Sequence, residues 1–321
     1  MARNAASVRR AALRAGKQAV KKATKPVRKK ARKPAPKSAD FAGSQRLRLY
    51  RPPGIGKDER VPLLVMLHGC GQDALGLAQS TRMNLVAARE RFLVLYPEQD
   101  RLANAQGCWN WFDTASGRAF READSIMAAI QQVCLLHPVD SHRVAIAGMS
   151  AGASMAALLA TRHPSRFKSV VMHSGVPPGS AHSALTALRA MQGRRAGQVR
   201  SVVSLEPGVA WPPLLLIQGK ADRVVAGGNA DAAVRLWVDA AGASAVRAGS
   251  ARQLQRGKRH AMTVQDFKRQ GRTVVTRVDV ARLGHAWSGG ASKQPFSDPL
   301  GPDASRMVWA FAAKQFRVTA P

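Results

Sequence analysis

An apolar run, Val144-Ala145-Ile146-Ala147, leads straight into Gly148-Met149-Ser150-Ala151-Gly152, and small residues from Ala153 to Ala157 follow. A strand that turns directly into a helix around a G-x-S-x-G segment leaves few folds open. The serine must sit on a tight, strained turn, and glycines two positions to either side let neighbouring backbone approach it. The helix that starts there turns its positive end and its free N–H groups toward the serine. The pattern predicts a nucleophile at Ser150. The plainer reading is a serine-containing turn in a non-catalytic sheet protein.

The flanking sequence has the periodicity such an elbow requires. Residues 46–50 read as an edge strand, stopped by Pro52-Pro53, and Val61 to Leu67 is a continuous apolar run. Further strands are expected over 92–96, 143–147, 168–172 and 214–218. Helices are expected over 73–90, 122–137, 151–161, 229–241 and 303–315. Residues 273–280 pair with 262–268 across a Gln-Gly turn. Apolar strands alternating with helices predict an α/β fold, a three-layer sandwich with a mostly parallel central sheet covered on both faces. With 45% hydrophobic residues in 321, one large domain over 43–321 has material for its core.

A serine hydroxyl needs a base, and the base needs a carboxylate to orient it. In this topology they follow in the order Ser, acid, His, at strand ends. Of eight histidines, His68 comes too early. His137, His142 and His163 fall at helix ends or in loops, His173 and His182 precede any candidate acid, and His260 lies in a basic loop. His285, after the strand ending near Val280, is the expected base. Asp222, just past Leu214 to Gly219, is the expected acid. Asp231 reads as a helix residue, and Asp266 and Asp279 as strand residues on a solvated face. The oxyanion hole is expected from the backbone N–H groups of Ala151 and Cys70, with His68 ordering the loop. Gln72, Trp109, Trp111 and Trp287 are candidates for the substrate pocket, core packing being the other reading of the tryptophans. The chemistry needs no cofactor. Cys70, Cys108 and Cys134 are not spaced for zinc, so no metal is expected, and they leave room for one disulfide.

Charge sets the N-terminal segment apart. Of the net +31, residues 1–40 contribute +13, with 14 Lys or Arg and one acid, Asp40. Residues 1–42 are expected to form a basic, disordered arm broken by Lys25-Pro26 and by Pro34 and Pro36. Contact with a polyanion or a storage granule through residues 1–39 is one reading of this density, and a solubilising tail is the other. Its Arg and Ala content fits a transit-like peptide equally. The absence of an apolar signal core points to a cytoplasmic or granule-associated protein. No stretch of 18 apolar residues suggests a membrane span.

Seven segments together resemble the poly(3-hydroxybutyrate) depolymerase family of esterases, which is related to feruloyl and acetylxylan esterases. They are Leu67-His68-Gly69-Cys70-Gly71-Gln72, Tyr96-Pro97-Glu98-Gln99, Cys108-Trp109-Asn110-Trp111-Phe112, the elbow, Gly219-Lys220-Ala221-Asp222, Gly284 to Gly290, and Gly301-Pro302-Asp303-Ala304-Ser305. The resemblance spans about residues 43–317. It implies an α/β-hydrolase fold, a Ser150–Asp222–His285 triad and a Cys70–Cys108 bridge. It also implies cleavage of hydroxyalkanoate esters, with a feruloyl, acetylxylan or general carboxylesterase as alternatives. A polyanion- or granule-binding protein on a hydrolase scaffold is the alternative of another class. The family implies an exported or periplasmic setting, against the reading from the N-terminus. Where it often carries a histidine, this chain has Ala226.

Overall fold

The computed structural model describes residues 46–194, 205–206 and 208–318. The basic arm lies outside them. The main sheet has ten strands among the described residues: β1 (Leu47–Tyr50), β2 (Val61–Leu67), β3 (Leu93–Pro97), β4 (Val139–Met149), β5 (Ser169–His173), β6 (Leu214–Gly219), β7 (Val246–Ala248), β8 (Arg252–Leu254), β9 (Met262–Arg269) and β10 (Arg272–Val280). Their order is β1-β3-β2-β4-β5-β6-β10-β9-β7, with β8 also on β9. From β3 to β10 neighbours run parallel, and β1 and β9 pair antiparallel at the two sides.

Chain order runs outward from β2 to β3, then crosses back to β4 and continues away from it. The C-terminal ends of β2 and β4 therefore flank a switch point, the crevice where open α/β sheets present ligand sites. The loop at 68–72 and the serine elbow both emerge there.

Helices α3 (Arg118–Leu136), α4 (Ala151–Arg162), α5 (Ala184–Met191) and α6 (Gly228–Ala240) cover one face. Helices α1 (Ala74–Thr81), α2 (Met83–Glu90) and α7 (Ala304–Phe316) cover the other. Alternate strand residues divide between the two cores: Leu63, Val65 and Leu67 face the first, Leu64 and Met66 the second. Helix α4 is buried from Ala151 to Thr161, and its small side chains let it lie close to β4 and β5.

The expected helix over 73–90 is two helices. Arg82, in the left-handed region (φ 55°), ends α1 and begins α2. Its guanidinium donates to the Gly289 carbonyl at 2.5 Å, a contact with a segment 207 residues away that helix propensity does not encode. Strand β4 starts four residues earlier than periodicity suggests, because Val139 pairs with Val61 ahead of a register shift. Helix α5, whose start Ser183 and Thr186 close as a capping box, lies outside the expected helices, since Thr186 stands where the sequence signature has Glu or Gln. A two-stranded ribbon, β11 (Trp287–Ser288) with β12 (Ser297–Asp298), holds the loop after β10.

Candidate active site

Ser150 sits at φ 54°, ψ −121°, a conformation that non-glycine residues rarely adopt. The two glycines explain how the elbow closes. A Cβ on Gly148 would lie 2.2 Å from the Gly152 carbonyl oxygen, and one on Gly152 would lie 2.2 Å from that of Leu67. The Ser150 N–H donates to the His173 carbonyl at 2.9 Å, which fixes the turn to β5.

Three candidates from distant segments meet here. His285 Nε2 lies 2.9 Å from Ser150 Oγ, and its Nδ1 lies 2.8 Å from Asp222 Oδ2. The other Asp222 oxygen accepts the N–H groups of Val224 and Val225, both at 2.9 Å. Burial opposes ionisation of this carboxyl, yet the hydrogen bonds from His285 and from the two amides outweigh it and hold its pKa below the usual range. An anionic Asp222 favours the tautomer with hydrogen on Nδ1, leaving Nε2 to accept from the serine.

The loop after β2 supplies the opposing side. Its Gly69 comes close enough that an added Cβ would stand 3.4 Å from Ser150 Cβ. Among the described residues, neither the Cys70 N–H nor the Ala151 N–H has a protein acceptor. These two donors are free for a developing oxyanion. His68 is buried and braces the loop. One ring nitrogen faces the Gly69 carbonyl and the other accepts the Gln99 N–H at 3.0 Å. Cys70 is joined to Cys108 by a disulfide, and Gly71 N–H donates to the Gln106 carbonyl, tying the loop to the segment before Trp109.

Ser150 and Ala151 open into a cavity of about 430 Å³. Trp111, Phe112, Val176, Leu188 and Met191 are among its lining residues, with the fully buried Trp109 behind them. Two expected pocket residues lie elsewhere. Gln72 is buried, and its side-chain oxygen accepts the Gly69 N–H, so it supports the loop from behind. Trp287 is fully buried in the core on the other face of the sheet, where its ring N–H donates to Ser305. Asp266 also departs from a merely solvated role, since it accepts from Thr276 at 2.7 Å and pairs with Arg252. Asp279 and Asp231 both pair with Arg277. His260 is buried against Asp298.

His173, set aside in the sequence because it precedes the acid, joins the two halves of the site. Its carbonyl holds the elbow, and its Nε2 accepts the Ser288 N–H at 3.2 Å, three residues past His285. The ring stacks on Trp287. Burial, and then the nearby His285, push its pKa down to about 3. Burial likewise lowers that of His68. The unfolded chain takes up a proton on each ring near the ordinary histidine pKa of about 6.5, and the folded chain does so only at lower pH. Stability is therefore expected to fall as pH drops below about 6.5, by up to about 1.4 kcal/mol per pH unit for each buried ring. Urea midpoints at pH 7 and pH 5 measure this. His173→Gln, which keeps an acceptor for Ser288, should have the shallower dependence, and equal dependence would show that the buried ring takes up its proton in the fold.

A family model described as Esterase PHB depolymerase matches residues 46–256. Poly(3-hydroxyalkanoate) depolymerase C of Paucimonas lemoignei is 31% identical over 146 residues, 45% of this chain and 35% of that protein. A feruloyl esterase B of Neurospora crassa is 31% identical over 116 residues, 36% of this chain and 39% of that protein. Acetylxylan esterase A of Aspergillus oryzae is 25% identical over 142 residues, 44% of this chain and 45% of that protein. The chain thus spans less than half the length of these curated relatives. Among solved structures, an acetyl xylan esterase from Aspergillus awamori superposes with a TM-score of 0.60 at 17% identity, over 78% of this chain and 92% of that one. A Bacillus cereus carboxylesterase does so at 0.51 and 16%, over 85% and 95%. These likenesses show the α/β-hydrolase fold.

Proposed function

Because this chain belongs to the esterase PHB depolymerase family, we propose that it is a serine esterase that hydrolyses hydroxyalkanoate esters, poly(3-hydroxybutyrate) or its oligomers. The observation that carries the reaction class is Ser150 Oγ at 2.9 Å from His285 Nε2, beside two N–H groups without a protein acceptor among the described residues. Ser150 Oγ attacks the ester carbonyl as His285 Nε2 accepts its proton. Asp222 holds the ring and stabilises the imidazolium. The carbonyl oxygen, now an anion, takes hydrogen bonds from Cys70 and Ala151. His285 passes its proton to the leaving alcohol, and water then enters by the same steps to release the acid.

Support for the hydroxyalkanoate reading comes from the family and from the wall of the cavity. Trp111, Phe112, Val176 and Met191 are apolar surface for a short alkyl chain, and the polar side chains of Asn104 and Gln106 lie among them. The aromatic wall also favours a second reading, an aryl ester such as a ferulate. Values of kcat/KM on 3-hydroxybutyrate oligomers, methyl ferulate and acetylated xylan under one set of conditions decide between them. The oligomers are expected to lead by about tenfold or more, the scale of one or two well-fitted methylenes. A lead for methyl ferulate or acetylated xylan would replace the substrate reading and leave the serine mechanism standing. Contact of residues 1–39 with a granule or a polyanion is tested by removing them and comparing retention on granules and on DNA across salt concentrations. Unchanged retention would reject it.

A further inference from the structure

A second cavity, of about 560 Å³, shares no lining residue with the one at Ser150. It lies between α2, α7 and the β8–β9 turn. Its charge is one-sided: Arg82, Arg89, Arg256, Arg259 and Arg306 line it against a single carboxylate, Asp303. Arg256 has no ion-pair partner among the described residues, and the Arg306 contact with Asp303 is long, 3.5 Å, and exposed. Arg89 is paired with Glu90 at 2.7 Å, but Arg256, Arg259 and Arg306 leave an excess of positive charge that attracts anions.

Charge is half of the site. Leu85 and Leu254, 69% and 45% exposed, line the same cavity with Met262 and Met307. A phosphate ion would leave this apolar surface in water, and so would a nucleic-acid backbone. An acidic head joined to a hydrocarbon chain would cover both. The third feature is His260, which lines the cavity although it is only 7% exposed. Its Nε2 faces Asp298 Oδ2 at 3.1 Å, and its buried Nδ1 has no hydrogen-bond partner among the described residues. A buried polar atom without a partner is costly, and at a residue lining the cavity a polar ligand atom would supply the partner it lacks.

We propose that this cavity is a binding site for an anionic amphiphile, a single hydrocarbon chain with an acidic head, separate from the esterase site and independent of which ester is cleaved. The head meets Arg256, Arg306 and His260, and the chain lies along Leu85, Met307 and Leu254. Occupancy is read directly by isothermal titration of the full chain with decanoate, with decanol and acetate as the tail and head alone. Decanoate is expected to bind saturably at one molecule per chain, more weakly as salt is raised, and about tenfold or more tighter than either half.

Arg256→Glu with Arg306→Glu changes two exposed side chains, and Leu85→Asp a third. Each is expected to weaken decanoate about tenfold or more while leaving p-nitrophenyl butyrate turnover unchanged. Leu188→Trp, which narrows the cavity at Ser150, should leave decanoate affinity at this site unaltered. No saturable binding, binding insensitive to the arginine and Leu85 variants, or binding lost in Leu188→Trp would each overturn the proposal. Decyl phosphate in place of decanoate distinguishes a phosphate head from a carboxylate head.

Discussion

Ser150→Ala is expected to leave a folded protein whose turnover of p-nitrophenyl butyrate falls by about 10⁶-fold, the loss seen when such a nucleophile is removed from an otherwise intact site. Removing Oγ takes away the atom proposed to attack and leaves the rest in place. His285 keeps Asp222 at 2.8 Å, and the Cys70 and Ala151 N–H groups do not depend on the side chain. Some catalysis over water should persist, because the oxyanion donors and the cavity still bind the substrate. The elbow does not rely on Oγ either. Its backbone is held by the Ser150 N–H to the His173 carbonyl and by the glycine contacts. Alanine strains no more than serine at φ 54°. Steady-state rates with a thermal melt measure both parts. A folded variant with turnover near that of the parent would reject Ser150 as nucleophile.

Gly152→Ala is expected to lower kcat by about 10²–10³-fold, although residue 152 contributes no reacting atom. The new methyl would stand 2.2 Å from the Leu67 carbonyl oxygen and 2.5 Å from that of His68. Those atoms belong to the end of β2 and the start of the loop that carries Cys70, so relief must come from backbone. Either α4 moves off β2, taking Ala151 and Ser150 with it, or the loop moves away from Ser150. In both cases one oxyanion donor leaves its position. Losing one such donor costs about 3–4 kcal/mol of transition-state stabilisation. Overpacking should also lower stability by about 1–3 kcal/mol, read from a urea titration. Loss of kcat with nearly constant KM is the expected signature, since the Trp111 wall is untouched. Parent-like kcat in a folded Gly152→Ala would mean that the loop does not serve the oxyanion.

Much of the sheet was legible because parallel strands buried on both faces read as continuous apolar runs. Val61–Leu67 and Leu214–Gly219 have every residue buried. The break at Arg82 was not legible, because a left-handed arginine is held there by the Gly289 carbonyl, which no local pattern reveals. Gln72 and Trp287 stand beside site segments in the sequence, which suggests the pocket. A side chain two residues past Cys70 or His285 can point either way, and packing turned both inward.

The sequence by itself determined the elbow, its strand and its helix, because glycine spacing and apolar periodicity are local consequences of backbone sterics. It also singled out Asp222 and His285, since both follow strands whose ends the topology gathers on one side. Only the tertiary structure decided what stands behind them: His173 reaching the Ser288 amide 115 residues on, and the Gly69 backbone coming up against Ser150. These contacts depend on distances between segments far apart in the chain. They exist once the sheet has closed and the buried polar groups have found partners.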